Sequence, residues 1–169
     1  MQQKLHLKSL AKEEKLKKVI FVASSGGHLT EILKLKKLFS KYDYLLVTEE
    51  TELTKELTDK YNMKFLRYGP SKNIFKYIYN VLVNIARCIK IAFKFKPDTV
   101  VSTGAQIGGI MCLMCKLRCA KVIYIESIAK VESLSVTGRN IYPFANKFYV
   151  QWESLENKYN KAEYIGRLI

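Results

Sequence analysis

A doubly wound α/β fold, a Rossmann-like parallel sheet with helices on both faces, is predicted by three features of the sequence. Short apolar runs alternate with helical patterns, the runs are nearly continuous rather than alternating in polarity, and a glycine-rich turn follows the first of them. At 169 residues and 49% hydrophobic content, the chain suits one domain with a substantial core. That domain is expected over 18–169, behind a lysine-rich leader at 1–17 that is expected to be mobile.

Strands are predicted where β-branched and aromatic residues cluster: Lys18 to Ser24, Tyr42 to Thr48, Met63 to Tyr68, Asp98 to Ser102, Lys121 to Ile125, Lys147 to Gln151 and Glu163 to Ile165. Helical periodicity fills the intervals at Leu29 to Ser40, Thr51 to Tyr61, Asn73 to Phe95, Ile107 to Leu117 and Trp152 to Tyr159. The connections are short and polar or carry glycine.

In open sheets of this class, ligands bind at the carboxyl ends of the strands where strand order reverses. For the order 3-2-1-4-5-6, the loops after Ser24 and Ser102 flank that point, and both are glycine loops. The first, Ser24-Ser25-Gly26-Gly27-His28, runs into a helix, so its backbone N–H groups could meet an anionic or polyhydroxylated ligand. It lacks the G-x-G-x-x-G spacing of dinucleotide sites. His28 fits either a general base for an acceptor hydroxyl or a partner in helix N-terminal hydrogen bonding. The second loop, Thr103-Gly104-Ala105-Gln106, adds further donors and one amide, while Gly108 and Gly109 also suit close packing of the helix on the sheet. Glu126 and Ser127 end the fifth strand beside it. A carboxylate there could accept from sugar hydroxyls or orient a base, or could be paired with Lys130 or Arg139.

Between Lys60 and Pro97 the chain carries nine basic residues and no acid. In the long helix predicted there, Lys76, Arg87, Lys90 and Lys94 fall in a stripe opposite Ile78, Val81, Ile85, Ile89 and Ala92. Burial of the apolar stripe against the sheet with the lysines in water is one reading. Docking on an anionic membrane surface is the other, favoured by Phe75, Tyr77, Phe93 and Phe95 outside the stripe. The net charge of +14 points to an anionic partner, but aromatic-basic interleaving and DNA-reading motifs are missing, so nucleic acid is not expected. No run approaches the roughly 18 apolar residues of a membrane span, and the leader lacks a secretory core and cleavage site. A cytoplasmic location is expected, peripheral at the inner face of the cell membrane. Cys88, Cys112, Cys115 and Cys119 are read as reduced, buried thiols, and no metal is expected.

With these motifs in place, the sequence resembles the family of the asparagine-linked glycosylation protein fourteen, which includes capsule and exopolysaccharide enhancer subunits of bacteria. The resemblance rests on Ser24-Ser25-Gly26-Gly27-His28, Thr103-Gly104 and Ile125-Glu126-Ser127. It continues through 129–135, Gly138, Tyr142-Pro143-Phe144, 148–152 and Tyr164-Ile165-Gly166. It implies the N-terminal half of a GT-B glycosyltransferase akin to the acceptor domain of MurG, in polysaccharide or lipid-linked oligosaccharide biosynthesis. On that basis a separate chain, the C-terminal half, binds the UDP-sugar donor, so no cofactor is expected on this chain alone. This subunit would recruit the partner to the membrane and present a polyprenyl-pyrophosphate-linked sugar acceptor, the complex transferring a hexosyl or N-acetylhexosaminyl group. By the resemblance His28 is the candidate base. Ser25, Gly26, Gly27, Gly104, Gln106, Glu126 and Ser127 are the candidate acceptor-binding residues. A non-catalytic anchor or scaffold is the alternative. Eukaryotic members carry an N-terminal span where this chain has a polar leader, which favours a bacterial member.

Overall fold

The structure, a computed structural model, describes residues 16–69 and 73–168. The leader expected at 1–17 therefore lies outside the described residues except for Leu16 and Lys17. Seven strands form one parallel sheet: β1 (Lys18–Val22), β2 (Asp43–Glu49), β3 (Met63–Leu66), β4 (Thr99–Ser102), β5 (Lys121–Ile125), β6 (Lys147–Val150) and β7 (Ala162–Tyr164). Their order is β3-β2-β1-β4-β5-β6-β7. Each predicted strand is present, and the reversal falls between β1 and β4, where Val22 pairs with Ser102.

Among the described residues six α-helices connect the strands: α1 (Gly27–Lys34), α2 (Glu52–Lys55), α3 (Ile74–Phe95), α4 (Ala105–Leu117), α5 (Val136–Ile141) and α6 (Glu153–Glu156). Strand alternation divides the core into two layers. On one side Val19, Phe21 and Leu46 pack with Leu29, Ile32 and Phe39 from the α1 region. On the other, Ile20, Val100 and Val122 pack with Ile107, Met111 and Cys112 of α4. Right-handed crossovers require this split: connections running from β1 towards β3 lie on one face, and those running from β3 towards β7 lie on the other.

Local departures from the sequence reading have local causes. The helix expected over 29–40 stops at Lys34, and a 3-10 helix (Lys36–Lys41) follows. The helix expected over 51–61 shrinks to one capped turn, with the Thr51 and Thr54 side chains closing a reciprocal box. Helix α5 is absent from the sequence reading, because a β-branched and glycine-bearing segment has weak helix propensity. Its Ser135 Oγ accepts from Gly138 N at 2.9 Å and caps it. Cys88, Cys112 and Cys115 are buried as expected, whereas Cys119 is exposed. Cys119 takes a left-handed conformation, φ 62°, just beyond α4. Burial pushes the Cys88 and Cys115 thiols up to about 12, which keeps them protonated and unreactive.

Candidate functional site

The two glycine loops meet at the β1/β4 switch point. Gly26 and Gly104 precede α1 and α4 with φ of 85° and 117°, conformations that favour glycine. Neither helix has a side-chain cap or an acid in its first turn, so their first N–H groups remain available to an oxygen-rich ligand. The loops are tied together by Thr103 Oγ1, which donates to the His28 carbonyl at 2.8 Å. A Cβ on Gly104 would lie 3.2 Å from His28 Cε1 and 3.0 Å from the Tyr124 hydroxyl, so only glycine lets the second loop close over the imidazole. Ala105, which follows, holds φ 63°, a conformation costly for a residue with a side chain.

His28 faces a partner that the sequence reading missed. Its Nδ1 lies 3.4 Å from Glu31 Oε2, with side-chain exposures of 30% and 1%. This is an ion-pair distance without the alignment of a good hydrogen bond, and among the described residues neither atom has a better partner. The Glu31 contact, reinforced by its negative charge, raises the His28 pKa against the opposing effect of burial. The second Glu31 oxygen accepts from Ile128 N at 2.9 Å, Gln151 Nε2 at 3.1 Å and Ser127 Oγ at 3.4 Å. Glu31 thus fixes the ring against the β5 and β6 loops and leaves Nε2 as the nitrogen available to a ligand. The H-x-x-E spacing places both groups on one helical face, a signal that was present in the sequence.

Glu126 is fully buried, and its partners are neutral donors rather than Lys130 or Arg139. Its oxygens accept from Ser127 N at 2.9 Å, Ser135 N at 2.9 Å and Ser135 Oγ at 3.1 Å. Gly138 is required beneath it, since a Cβ there would collide with Glu126 Oε2. Glu126 and Ser127 therefore brace the 127–135 loop against α5, on the β5 side of His28.

On the β2 side of Gly104 lies a cavity of about 520 Å³, lined by Ser24, Ser25, Glu49, Tyr68, Tyr77, Ala105 and Gln106. Of the candidate acceptor residues, Ser25 and Gln106 reach it. Gly26 and Gly27 are exposed at the loop tip with open space where a Cβ would be. Glu49, at the end of β2, was not foreseen. It accepts from Ser25 Oγ at 3.2 Å and from Gly69 N at 3.1 Å, shaping the cavity floor. Gln106 Nε2 donates to the Tyr77 hydroxyl at 2.7 Å and links α4 to α3.

Helix α3 reverses one sequence expectation. It buries Asn80, Asn84, Cys88 and Ala92, not the full apolar stripe. Phe75, Leu82 and Phe93 are 80%, 60% and 54% exposed, and Ile78 and Ile89 are also exposed. Asn84 explains the choice: its Oδ1 accepts from Arg67 N at 2.8 Å and its Nδ2 donates to Arg67 O at 2.9 Å, completing the backbone beyond the β3 edge. Asn80 adds a bond to the Tyr68 carbonyl at 3.2 Å. Lys76, Lys90 and Lys94 are exposed and Arg87 half-buried, on the flank of the outward apolar face. Among the described residues no helix is long and apolar enough to cross a membrane, and no group of side chains could hold a metal ion.

The sheet order, the two helix-opening glycine loops and the cleft between them define the N-terminal, Rossmann-like half of a GT-B fold. The solved structures it resembles include Acinetobacter baumannii MurG (TM-score 0.66, 17% identity, covering 82% of this chain and 42% of that one). Another is the UDP-GlcNAc 2-epimerase of Methanocaldococcus jannaschii (TM-score 0.66, 14% identity, covering 89% and 45%). The chain thus spans less than half of each of these proteins, and the likeness is one of fold. A family model described as "Oligosaccharide biosynthesis protein Alg14 like" matches residues 19–168, and the chain belongs to that family. Similar relatives named "UDP-N-acetylglucosamine transferase subunit" come from Homo sapiens (26% identity over 89% of this chain and 82% of the relative) and Schizosaccharomyces pombe (28%, 95% and 87%).

Proposed function

We propose that this chain is the acceptor-side subunit of a two-chain glycosyltransferase, holding a polyprenyl-pyrophosphate-linked sugar while a separate chain binds the UDP-sugar. The observation that carries this reading is the convergence at the β1/β4 switch point of the two helix-opening glycine loops, the His28–Glu31 pair and the 520 Å³ cavity. Family membership and the naming of relatives as UDP-N-acetylglucosamine transferase subunits support an N-acetylhexosaminyl donor on the partner. In this reading His28 Nε2 removes the proton from the acceptor hydroxyl as its oxygen bonds to the anomeric carbon of the donor sugar, and the bond from that carbon to UDP breaks, with UDP leaving on the partner chain. Glu31 stabilises the imidazolium that forms, as a buried carboxylate does beside a catalytic histidine. Ser25 and Gln106 hold the acceptor head.

The outward apolar face of α3 and its lysine flank support docking on an anionic membrane surface, where apolar side chains enter the interface and each basic residue adds attraction. An apolar groove of about 340 Å³ on the opposite sheet face, between Phe21, Val101, Ile125 and Tyr149, supports contact with the partner.

The purified chain is expected to transfer no sugar, and the co-expressed pair to transfer it to a polyprenyl-pyrophosphate-linked acceptor. Full activity of the chain alone would overturn the proposal. In the pair, His28→Ala is expected to lower turnover by about 10²-fold or more, and unchanged turnover would favour a scaffold. Because Glu31 raises the His28 pKa above the ordinary 6.5, and a base must be neutral, the acid limb of the kcat/KM profile is expected above that pH. Glu31→Gln should move the limb to lower pH. A limb that stays in place would remove Glu31 from the mechanism. The same shift makes the charged pair stabilise the fold fully below pH 6.5, with that stabilisation lost as pH rises through the folded value.

A further inference from the structure

A second cavity of about 490 Å³ opens where the first one ends. The two share Tyr77 and Gln106 as lining residues, so the hydrogen bond between those side chains forms the seam between them. Beyond the seam the chemistry changes. The first cavity contains the Glu49 carboxylate and two serines. The second is walled by Ile110, Leu113, Val136, Ile141 and Phe144, with Thr137 and Asn140 as neutral polar members, and among the described residues its lining holds no charged side chain, in a chain where 26% of residues are charged.

The groove runs between α4 and α5, which approach closely because position 109 is glycine. A Cβ there would lie 3.1 Å from Thr137 Cγ2. Leu113 and Val136 remain 44% and 66% exposed on its rim. They stand on the same face of the sheet as the exposed apolar side of α3, so the groove leads from the polar cavity towards an apolar surface.

We infer that this groove binds the first isoprene units of the acceptor's polyprenyl chain, with the Gln106–Tyr77 pair marking the passage from polar head to hydrocarbon tail. The inference rests on the proposed function, in which the acceptor is lipid-linked, and adds to it a protein site for the lipid itself. Continuity with the polar cavity selects this occupant: a ligand whose sugar and pyrophosphate fill one chamber must carry its hydrocarbon away through an adjoining one. The branched-aliphatic and aromatic wall of Ile110, Leu113, Val136, Ile141 and Phe144 matches a branched, unsaturated chain.

The test uses the assembled two-chain complex in detergent, where membrane docking plays no part. Two acceptors share the same sugar-pyrophosphate head, one on a polyprenyl chain and one on a short straight alkyl chain. Leu113→Asp and Val136→Asp alter rim positions that already meet solvent, so folding is expected to survive. Each should raise KM about tenfold for the polyprenyl acceptor and leave the short-chain acceptor unchanged. Equal effects on both, or on neither, would overturn the inference. A second arm measures binding of a fluorescent farnesyl pyrophosphate to the same complex. Binding that weakens about tenfold in Leu113→Asp and is competed by unlabelled farnesyl pyrophosphate but not by pyrophosphate supports the groove, and no binding overturns it. If the complex transfers sugar to neither acceptor, the proposed function fails, and the farnesyl arm alone decides the groove.

Discussion

Helices α3 and α4 lie side by side on one face of the sheet and treat their apolar residues in opposite ways. Helix α4 buries Ile107, Met111, Cys112 and Cys115 against the strands, and Gly108 brings its backbone against Ser102. Helix α3 instead buries a row of Asn80, Asn84, Cys88 and Ala92 and turns Phe75, Ile78, Leu82, Ile89 and Phe93 outward. The neighbours of each helix explain the difference. Helix α4 covers central strands whose backbone groups are already paired, so only apolar contact is left to make. Helix α3 covers the end of the edge strand β3, where the Arg67 N–H and C=O would otherwise be unsatisfied. In α3 the polar face holds the helix to the sheet, and the apolar face is exposed among the described residues.

The largest effect should come from removing that exposed face. Replacing Phe75, Leu82 and Phe93 together by Ser is expected to lower binding to anionic vesicles by about 10³-fold or more, since each side chain contributes about 1.5–3 kcal/mol when fully withdrawn from water. The melting temperature should fall only slightly, because none of the three is buried in the folded chain and the Arg118 guanidinium over the Phe93 ring, 4.7 Å from its centroid, is a surface contact. A vesicle co-sedimentation series alongside thermal unfolding checks both halves. If the triple variant unfolds early and binds vesicles normally, the face is structural and the contrast with α4 collapses.

Truncation inside the contact should behave in the reverse manner. Met111→Ala on α4 is expected to cost about 2–5 kcal/mol of stability by leaving a cavity. Asn84→Leu on α3 should cost about 1–3 kcal/mol, although it makes the buried face more apolar, because two backbone groups of Arg67 lose their partners. Chemical denaturation of the two variants distinguishes these causes from a surface effect, and an Asn84→Leu variant as stable as the parent would show that water or another group satisfies Arg67.

The same pair of helices shows what the sequence could disclose. Seven strands and the 3-2-1-4-5-6 order of the first six were legible, because buried parallel strands are continuous apolar runs and the glycine loops mark the switch point, whereas the place of β7 was not. The existence and span of α3 were legible from its period, but its orientation was not. Amphipathicity identifies an apolar face without saying whether the sheet or something else covers it, and the need for Asn84 arises only once Arg67 lies beside it in space. At the site, His28 and the two glycine loops stood out by position. Glu31 lies three residues away at helical spacing, inside α1 rather than at a strand end, where ligand-binding residues of this fold class are expected. Glu49 and helix α5 were invisible for a related reason: Glu49 acts through Gly69, and Gly138 is needed only because the Glu126 carboxylate occupies the space where its side chain would be.

The smallest predicted effect separates charge from apolar insertion on α3. Lys90 is exposed on the flank of the apolar face, so Lys90→Gln should weaken binding to anionic vesicles by about 1 kcal/mol, roughly fivefold, and leave binding to neutral vesicles unchanged. The effect should vanish at about 1 M salt, where the screening length falls to about 3 Å, while the loss caused by the Phe75, Leu82 and Phe93 substitutions persists. A Lys90→Gln loss that survives high salt would mean that the lysine stem, not its charge, makes the contact. The apolar face of α3 would then extend across its basic flank, and the helix would lie deeper in the surface than its outward row of side chains requires.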